Sequence, residues 1–463
     1  MSSVKLEPQK RGSRILNIYH KGAVMAYDHS TNSLEEYWIP FTDNKGFKAD
    51  PRLIVSGAGN YMTNHMGGQI IDGSSGLFCS PAGHAHPKIV EAVHETMKEL
   101  TYVAAFGTSH PLSFALASKL AGMLPEPINH VFFVNSGSEA IDTALKIAMA
   151  YHAANGQDRH RFVSRERAYH GVNMGGVSLS GLVNNRKTFP SVMPNIVMMR
   201  HTWDENELFV SGQPEGRGVE LANDLQRAVD TYGGQTIAAC FVEPVAGSTG
   251  ILCPPKGYLE RLREICDAQG ILLVFDEVIT GFGRIGGKFA ADLFGVTPDI
   301  MTMAKALTNG SIPMGAVAVK DSIYQVITDS AAPGAIEFFH GYTYSGHPAA
   351  CAAGLASLSL YEEEGLFDQA AAHTPYFLDA VFSLRDHPMV KDIRGIGLAA
   401  GVELHSNGTP GARGGQCQKD LFWNGMHAKF TGDTGILAPM FIAENTHIDE
   451  MISKLRLTLD GLV

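Results

Sequence analysis

A chain of 463 residues, 45 % hydrophobic and 18 % charged, is large enough for two or three domains with cores that need no disulfide staples. A formal charge of −11 argues against a nucleic-acid partner, and no apolar run approaches the ~18 residues of a membrane span. Six cysteines without CxxC spacing, and an N-terminus (MSSVKLEPQKRGSR) without an apolar segment behind its basic residues, predict a reducing compartment and a cytoplasmic location.

Residues 1 to about 33 are polar with little periodicity and read as an arm. From Tyr37-Trp38 the composition turns aromatic, and SGAGNYMTNHMGGQIIDGSSGLF (56 to 78) reads as short hairpin strands with glycine turns. The first unit is therefore set at 1–78, an arm and a small subdomain. His86 to Leu100 carries apolar residues at Ile89, Ala92, Val93, Met97 and Leu100 behind Pro87, the pattern of an amphipathic helix. His84 and His86 stand two apart without a third ligand nearby, so they read as loop histidines and no metal is expected.

The next region alternates. Strands are predicted at His130–Val134, Phe162–Ser164, Ile237–Glu243, Ile271–Phe275, Ile300–Ala304 and Met314–Val319. Helices are predicted at Ser138–Tyr151 and Tyr258–Ala268, the latter ended by Gly270. Short apolar runs separated by helical patterns predict an α/β fold with a mostly parallel sheet covered on both faces, in a large domain over 79–345. From 346 to 463 an alanine-rich helix, strand-like IRGIGLAAGVEL and GILAPMFI, and a helical tail (Ile448–Leu459) suit a smaller α+β domain.

Ligands of an open parallel sheet sit beyond the carboxyl ends of its strands. After HVFFV comes Asn135-Ser136-Gly137-Ser138-Glu139-Ala140, opening a helix. Small residues there leave backbone N–H groups free for a phosphate, or simply form a serine cap with a downstream glutamate. After the next strand Tyr169 could stack on a planar ring or pack within its loop. Asp276 follows five apolar residues and needs a cationic or protonated partner, either a heteroaromatic N–H⁺ or an arginine such as Arg284. Gly281 to Gly286 is a literal GxGxxG, but five residues separate it from the strand end, which disqualifies it as a dinucleotide loop. Lys305 follows the Ile300–Ala304 run, where desolvation would leave a nucleophilic amine. Asp276 and Lys305 are 29 positions apart, room for one crossover between parallel strands. A phosphate cradle, a stacking aromatic, a buried carboxylate and a strand-end lysine together match pyridoxal 5′-phosphate.

With the motifs NSGSEA, AYHGVN, VEPVAGSTG, PPKGYLERLREIC, ILLVFDEVITGFGRIG, GVTPDIMTMAKALTNGSIPMGAV and HGYTYSGHPAACAAG in this order, the chain resembles the class III pyridoxal-phosphate aminotransferases of fold type I from about residue 35 onward. Within them it looks most like the β-alanine:pyruvate (ω-amino acid:pyruvate) aminotransferases. The resemblance implies a homodimer or a dimer of dimers. Lys305 would be the Schiff-base lysine and proton carrier, and Asp276 the partner of the pyridine nitrogen. Gly137 and Ser138 would hold the phosphate with Thr343 from the partner subunit; Tyr169 and Val278 would sandwich the ring, and Glu243 would support its hydroxyl side. Trp38, Phe78 and Phe106 would line the substrate pocket. The implied reaction is ping-pong: an amine or ω-amino acid donates, and a 2-oxo acid, pyruvate by resemblance, accepts. Where relatives have an arginine that binds substrate carboxylate this chain has Lys429, and Phe78 stands where the nearest relatives have tryptophan. A lysine offers a point charge without the guanidinium fork, so specificity is expected to relax toward amines or longer ω-amino acids. Rival expectations are an amine:pyruvate transaminase with little use of ω-amino acids, and an aminomutase or decarboxylase on the same fold.

Overall fold

The computed structural model describes residues 34–189 and 193–463; the polar arm of residues 1 to about 33 lies outside them. Strands β1 (Ile54–Ala58), β2 (Tyr61–Asn64) and β3 (Gln69–Asp72) form the predicted hairpins. The central sheet is built from β4 (Ile128–Val134), β5 (Arg161–Arg165), β6 (Ile196–Met199), β7 (Ile237–Val242), β8 (Leu272–Asp276), β9 (Ile300–Met303) and β10 (Gly315–Lys320). Its order is β4-β10-β9-β8-β7-β5-β6. β10 is antiparallel to β4 and to β9, while β9, β8, β7, β5 and β6 pair in parallel.

Every residue of β7, β8 and β9 is buried, because helices cover both faces and leave no solvated side for polar alternation. One covering helix, Tyr258–Gln269, shows how the sequence makes it. Gly257 and Gly270, at φ 78° and 63°, bound it, and Leu259, Leu262, Ile265 and Cys266 form its buried stripe. Among the elements that escaped the sequence reading are β6, the Gly218–Tyr232 helix and the Leu366–Phe382 helix.

A third sheet, from β11 (Val390–Ile396), β12 (Ala399–Leu404), β14 (Lys429–Thr431) and β15 (Thr434–Leu437), has the order β11-β12-β15-β14. The stretch IRGIGLAAGVEL falls in two strands of this sheet, turned at Gly397 (φ 57°). β13 (Met426–His427) instead joins β3 in parallel, so the chain near the C-terminus laces the first sheet to the third. Among the described residues no helix is long and apolar enough to cross a membrane.

Candidate active site

The β4, β5, β7, β8 and β9 strands end at the same edge of the central sheet, and the loops that follow them converge. Gly137, Ser138, Tyr169, Glu243, Asp276, Val278 and Lys305 line one cavity together with His170 and Gly171. A larger cavity, about 260 Å³ against about 110 Å³, opens between residues 103–117 and 340–346. It has no lysine or carboxylate in its wall; the smaller one holds the chemistry.

Lys305 opens a 3-10 turn, Lys305–Thr308, directly after β9. Its φ is 47°, a left-handed conformation that costs a non-glycine residue on the order of 1–3 kcal/mol and persists where the surroundings hold it. The turn closes at Asn309, whose side-chain amide donates to the Gly83 carbonyl at 2.9 Å and whose oxygen accepts the Ala82 N–H at 2.9 Å. This anchoring to the segment beyond β3 fixes the backbone beneath the lysine.

At the far wall Ser136 caps the Gly137–Ala154 helix, accepting the Glu139 N–H at 3.1 Å, and Glu139 returns to accept the Asn135 N–H at 2.7 Å. The cap and the anion site are therefore both present: capping uses Ser136 and Glu139, leaving the first-turn N–H groups of Gly137 and Ser138 for a ligand. The space is made by glycine. A Cβ on Gly137 would sit 3.1 Å from both Val278 methyls, and one on Gly171 would sit 2.5 Å from the Ser138 hydroxyl. A cradle that a single methyl would fill, facing a lysine and a buried carboxylate, fits a phosphorylated aromatic aldehyde.

Asp276 is 6 % exposed. Its Oδ1 accepts from the Val278 N–H at 3.2 Å and the Thr302 hydroxyl at 3.3 Å, and its Oδ2 lies 2.9 Å from His170 Nδ1. The expectation that Arg284 could pair with it is overturned. The Arg284 guanidinium points the other way, to the carbonyls of Leu398 and Pro439 at 3.1 and 2.6 Å and the Ser75 hydroxyl at 3.1 Å. His170 was missed as a functional residue, although a histidine beside Tyr169, at the edge where Asp276 required a proton donor, was a usable signal.

Glu243, just past β7, accepts the Tyr169 N–H at 2.9 Å. Burial pushes its carboxyl up to about 7, opposed by His170 and reinforced by the charge of Asp276. Tyr169 is raised as well, by burial and then by the two carboxylates. Lys429, on β14, is half-buried, and its backbone N–H donates to the Ser74 hydroxyl at 3.0 Å. Burial, and then the positive charge of Lys305, depress its ammonium, which places the two amines within each other's field.

The other expected pocket residues are not gathered into this cavity. Trp38 is 88 % exposed, Phe106 lines the larger cavity, and Thr343 is exposed with its carbonyl accepting from Tyr102. Phe78 is 2 % exposed at φ 62° and packs with Ile251, Ile279 and Ile285. The literal GxGxxG lies in turns after β8, with Phe282 and Phe289 packed at 5.3 Å, and opens no helix of the kind a dinucleotide loop requires.

Comparison with known proteins agrees with this geometry. Residues 44–459 match the family model for class-III aminotransferases. An omega-aminotransferase of Caulobacter vibrioides is 49 % identical over 93 % of this chain and 99 % of its own. A beta-alanine–pyruvate aminotransferase of Pseudomonas aeruginosa is 43 % identical over 93 % and 96 %. Among solved structures, an omega transaminase from Pseudomonas jessenii in complex with PMP superposes with a TM-score of 0.88 at 31 % identity, covering 92 % of this chain and 96 % of that one. The chain belongs to the class III aminotransferases, pyridoxal-phosphate enzymes of the fold type I architecture.

Proposed function

We propose that the protein is an ω-transaminase that takes the amino group of an ω-amino acid or amine and passes it to pyruvate by a ping-pong mechanism. The observation that carries the reading is the convergence of the Lys305 amine, the Asp276 carboxylate and the free helix N-terminus of Gly137 and Ser138 on one cavity. Relatives named for ω-amino acid or β-alanine and pyruvate support the substrate class.

Pyridoxal phosphate, when bound, supplies an electron sink that stabilises the carbanion of the amine carbon. Lys305 Nζ would hold the cofactor and would be the group that moves a proton at the amine carbon. The Asp276 carboxylate, in the cavity wall, would pair with the ring nitrogen and favour its protonated form. Gly137 and Ser138 hold the phosphate, with Thr343 of the partner subunit completing the cradle in a homodimer or dimer of dimers. Tyr169 and Val278 bracket the ring, and Glu243 supports its hydroxyl side. Trp38 and Phe106 shape the substrate pocket across the assembled interface, and Phe78 backs it from within the chain through Ile279, which lines the cofactor cavity. We assign residues 1–78 to an arm and subdomain, 79–345 to the cofactor domain and 346–463 to the small domain, and place the protein in the cytoplasm because its six cysteines are free.

Lys429 is the proposed carboxylate anchor. Its ammonium has no carboxylate within ion-pair distance among the described residues, although burial disfavours its charge. A substrate carboxylate would supply the missing partner. The test is to mix holoenzyme separately with β-alanine, a neutral aryl-alkyl amine and L-alanine, and follow loss of the bound cofactor's visible band. An ω-amino acid is expected to react fastest, and Lys429→Met to slow it by about tenfold or more while sparing the neutral amine. If the neutral amine leads and the variant changes nothing, the enzyme is an amine:pyruvate transaminase. Product analysis separates either from an aminomutase or decarboxylase.

A further inference from the structure

Lys429 lies where the chain crosses from the first sheet to the third: Met426 and His427 pair with β3, and Lys429 already pairs with Ile436 of β15. A segment from the other end of the chain sits in this crossing. The Gly73 N–H donates to the His427 carbonyl at 2.8 Å, and the Gly73 carbonyl accepts the Ala438 N–H at 2.7 Å. The next residue, Ser74, is wholly buried. Its hydroxyl accepts the Lys429 N–H at 3.0 Å and donates to the Ile436 carbonyl at 2.9 Å. Facing residues of an antiparallel ladder are ordinarily joined by backbone bonds alone, whereas here a side-chain hydroxyl bridges the facing pair Lys429 and Ile436. The backbone from which the Lys429 side chain departs is thereby tied to Ser74.

The same serine opens a strained turn. Ser75 and Phe78 take φ 47° and 62°, left-handed values that a non-glycine residue keeps only where its surroundings hold it. The wholly buried Asp72 supplies that hold: Oδ1 accepts the Ser74 N–H at 3.0 Å, and Oδ2 accepts the Gly76 N–H and lies 2.9 Å from His84 Nε2. At the far end of the turn Phe78 packs with Ile279, which lines the cofactor cavity. Ser74 therefore joins Lys429 to the turn that carries Phe78. Its neighbour Ser75 is equally buried but is bonded elsewhere, donating to the Ala438 carbonyl at 2.7 Å and accepting from Arg284 Nη2 at 3.1 Å.

We propose that Ser74 is a positioning residue for substrate specificity: by bridging Lys429 and Ile436, its hydroxyl sets where the Lys429 ammonium meets a substrate carboxylate and holds that anchor in register with the Phe78 side of the pocket. The inference rests on the reading of Lys429 as the carboxylate anchor. It makes Ser74 matter for donors with a carboxylate end and not for neutral amines.

The adjacent serines form a matched pair for the test. Holoenzyme carrying Ser74→Ala or Ser75→Ala is mixed separately with β-alanine and with a neutral aryl-alkyl amine. The concentration dependence of the loss of the visible band gives half-saturation and limiting rate for each donor, and thermal unfolding is followed alongside. Each substitution removes two buried hydrogen bonds, so both proteins are expected to unfold at lower temperature. Ser74→Ala is expected to raise half-saturation for β-alanine by about tenfold, as a misplaced charge-assisted contact implies, and to leave the neutral amine within about twofold of wild type. Ser75→Ala is expected to keep the ratio of the two donors within about twofold of wild type. An unchanged ratio in Ser74→Ala, or an equal fall of the ratio in both variants, overturns the proposal. If alanine at position 74 prevents folding, Ser74→Cys, whose thiol is only a weak donor and acceptor, is held to the same outcomes. Lys429→Met separates the levels. If it leaves the ratio unchanged, the anchor reading fails and the inference with it; if it lowers the ratio while Ser74→Ala does not, the inference alone falls.

Discussion

At the scale of single residues, the site is a set of ionisable groups whose charges are set by burial and by one another. Glu243 is the clearest case. Its folded-state value of about 7 stands above the 4.5 of an ordinary glutamate, so between those limits the folded protein binds a proton that the unfolded chain releases. The stability this contributes is fully present below about pH 4.5 and is lost as pH rises to about 7, on the order of 3 kcal/mol in all. Glu243→Gln keeps an acceptor for the Tyr169 N–H but cannot ionise. Urea unfolding of the cofactor-free protein between pH 4.5 and 8 should show a shallower decline for the variant than for wild type. Identical slopes would mean that Glu243 does not titrate in this window.

At the scale of elements, the site depends on how closely the loop after β5 approaches the first turn of the Gly137–Ala154 helix. Gly171 sits at φ 91°, and a Cβ there would meet the Ser138 hydroxyl at 2.5 Å and the Ser138 Cα at 2.7 Å. The Ser138 hydroxyl meanwhile accepts the Val172 N–H at 3.1 Å, so loop and helix are locked together at this point. Gly171→Ala must shift the anion-binding turn, at a cost of roughly 1–3 kcal/mol. Affinity for pyridoxal phosphate should drop by about tenfold or more, with far-ultraviolet circular dichroism unchanged. A variant that binds the cofactor normally would show that the helix N-terminus does not need this approach. The β8 and β9 strands act in the same way: their register sets Thr302 opposite Asp276 and thereby gives the carboxylate one of its three donors.

At the scale of the whole molecule, Arg284 joins parts of the chain that are far apart in sequence. It is 2 % exposed, reaches Ser75 near the first sheet and Leu398 and Pro439 at one end of the third, beside the paired β12 and β15, and stacks over Phe441 at 4.8 Å. Burial lowers its guanidinium to about 10, and carbonyls and a hydroxyl take its hydrogen bonds in place of a carboxylate. Arg284→Met would strand two buried carbonyls, each worth about 1–3 kcal/mol, against the recovered cost of burying a charge. A net loss of about 2 kcal/mol is expected, seen as a lower calorimetric Tm. An unchanged Tm would mean that packing alone joins these segments.

The sequence by itself determined the local chemistry and its order along the chain. Apolar runs marked β4, β7, β8 and β9, glycines marked the ends of the Tyr258–Gln269 helix, and the residues following each strand named Lys305, Asp276, Tyr169 and Gly137-Ser138. Those features are local, and periodicity and turn chemistry encode them within a few residues. Only the tertiary structure decided which groups meet. Asp276 could have been served by Arg284, 8 positions away, and is instead held by His170, 106 positions away, because the parallel order β8-β7-β5 brings the β5 and β8 loops to the same edge with one strand between them, while the turn after β8 carries Arg284 toward the third sheet. Trp38, Phe106 and Thr343 show the same limit. The family resemblance assigns them to the substrate pocket or, for Thr343, to the partner's phosphate site, and one folded chain leaves them apart from Lys305, since contacts between distant segments follow from packing and not from spacing.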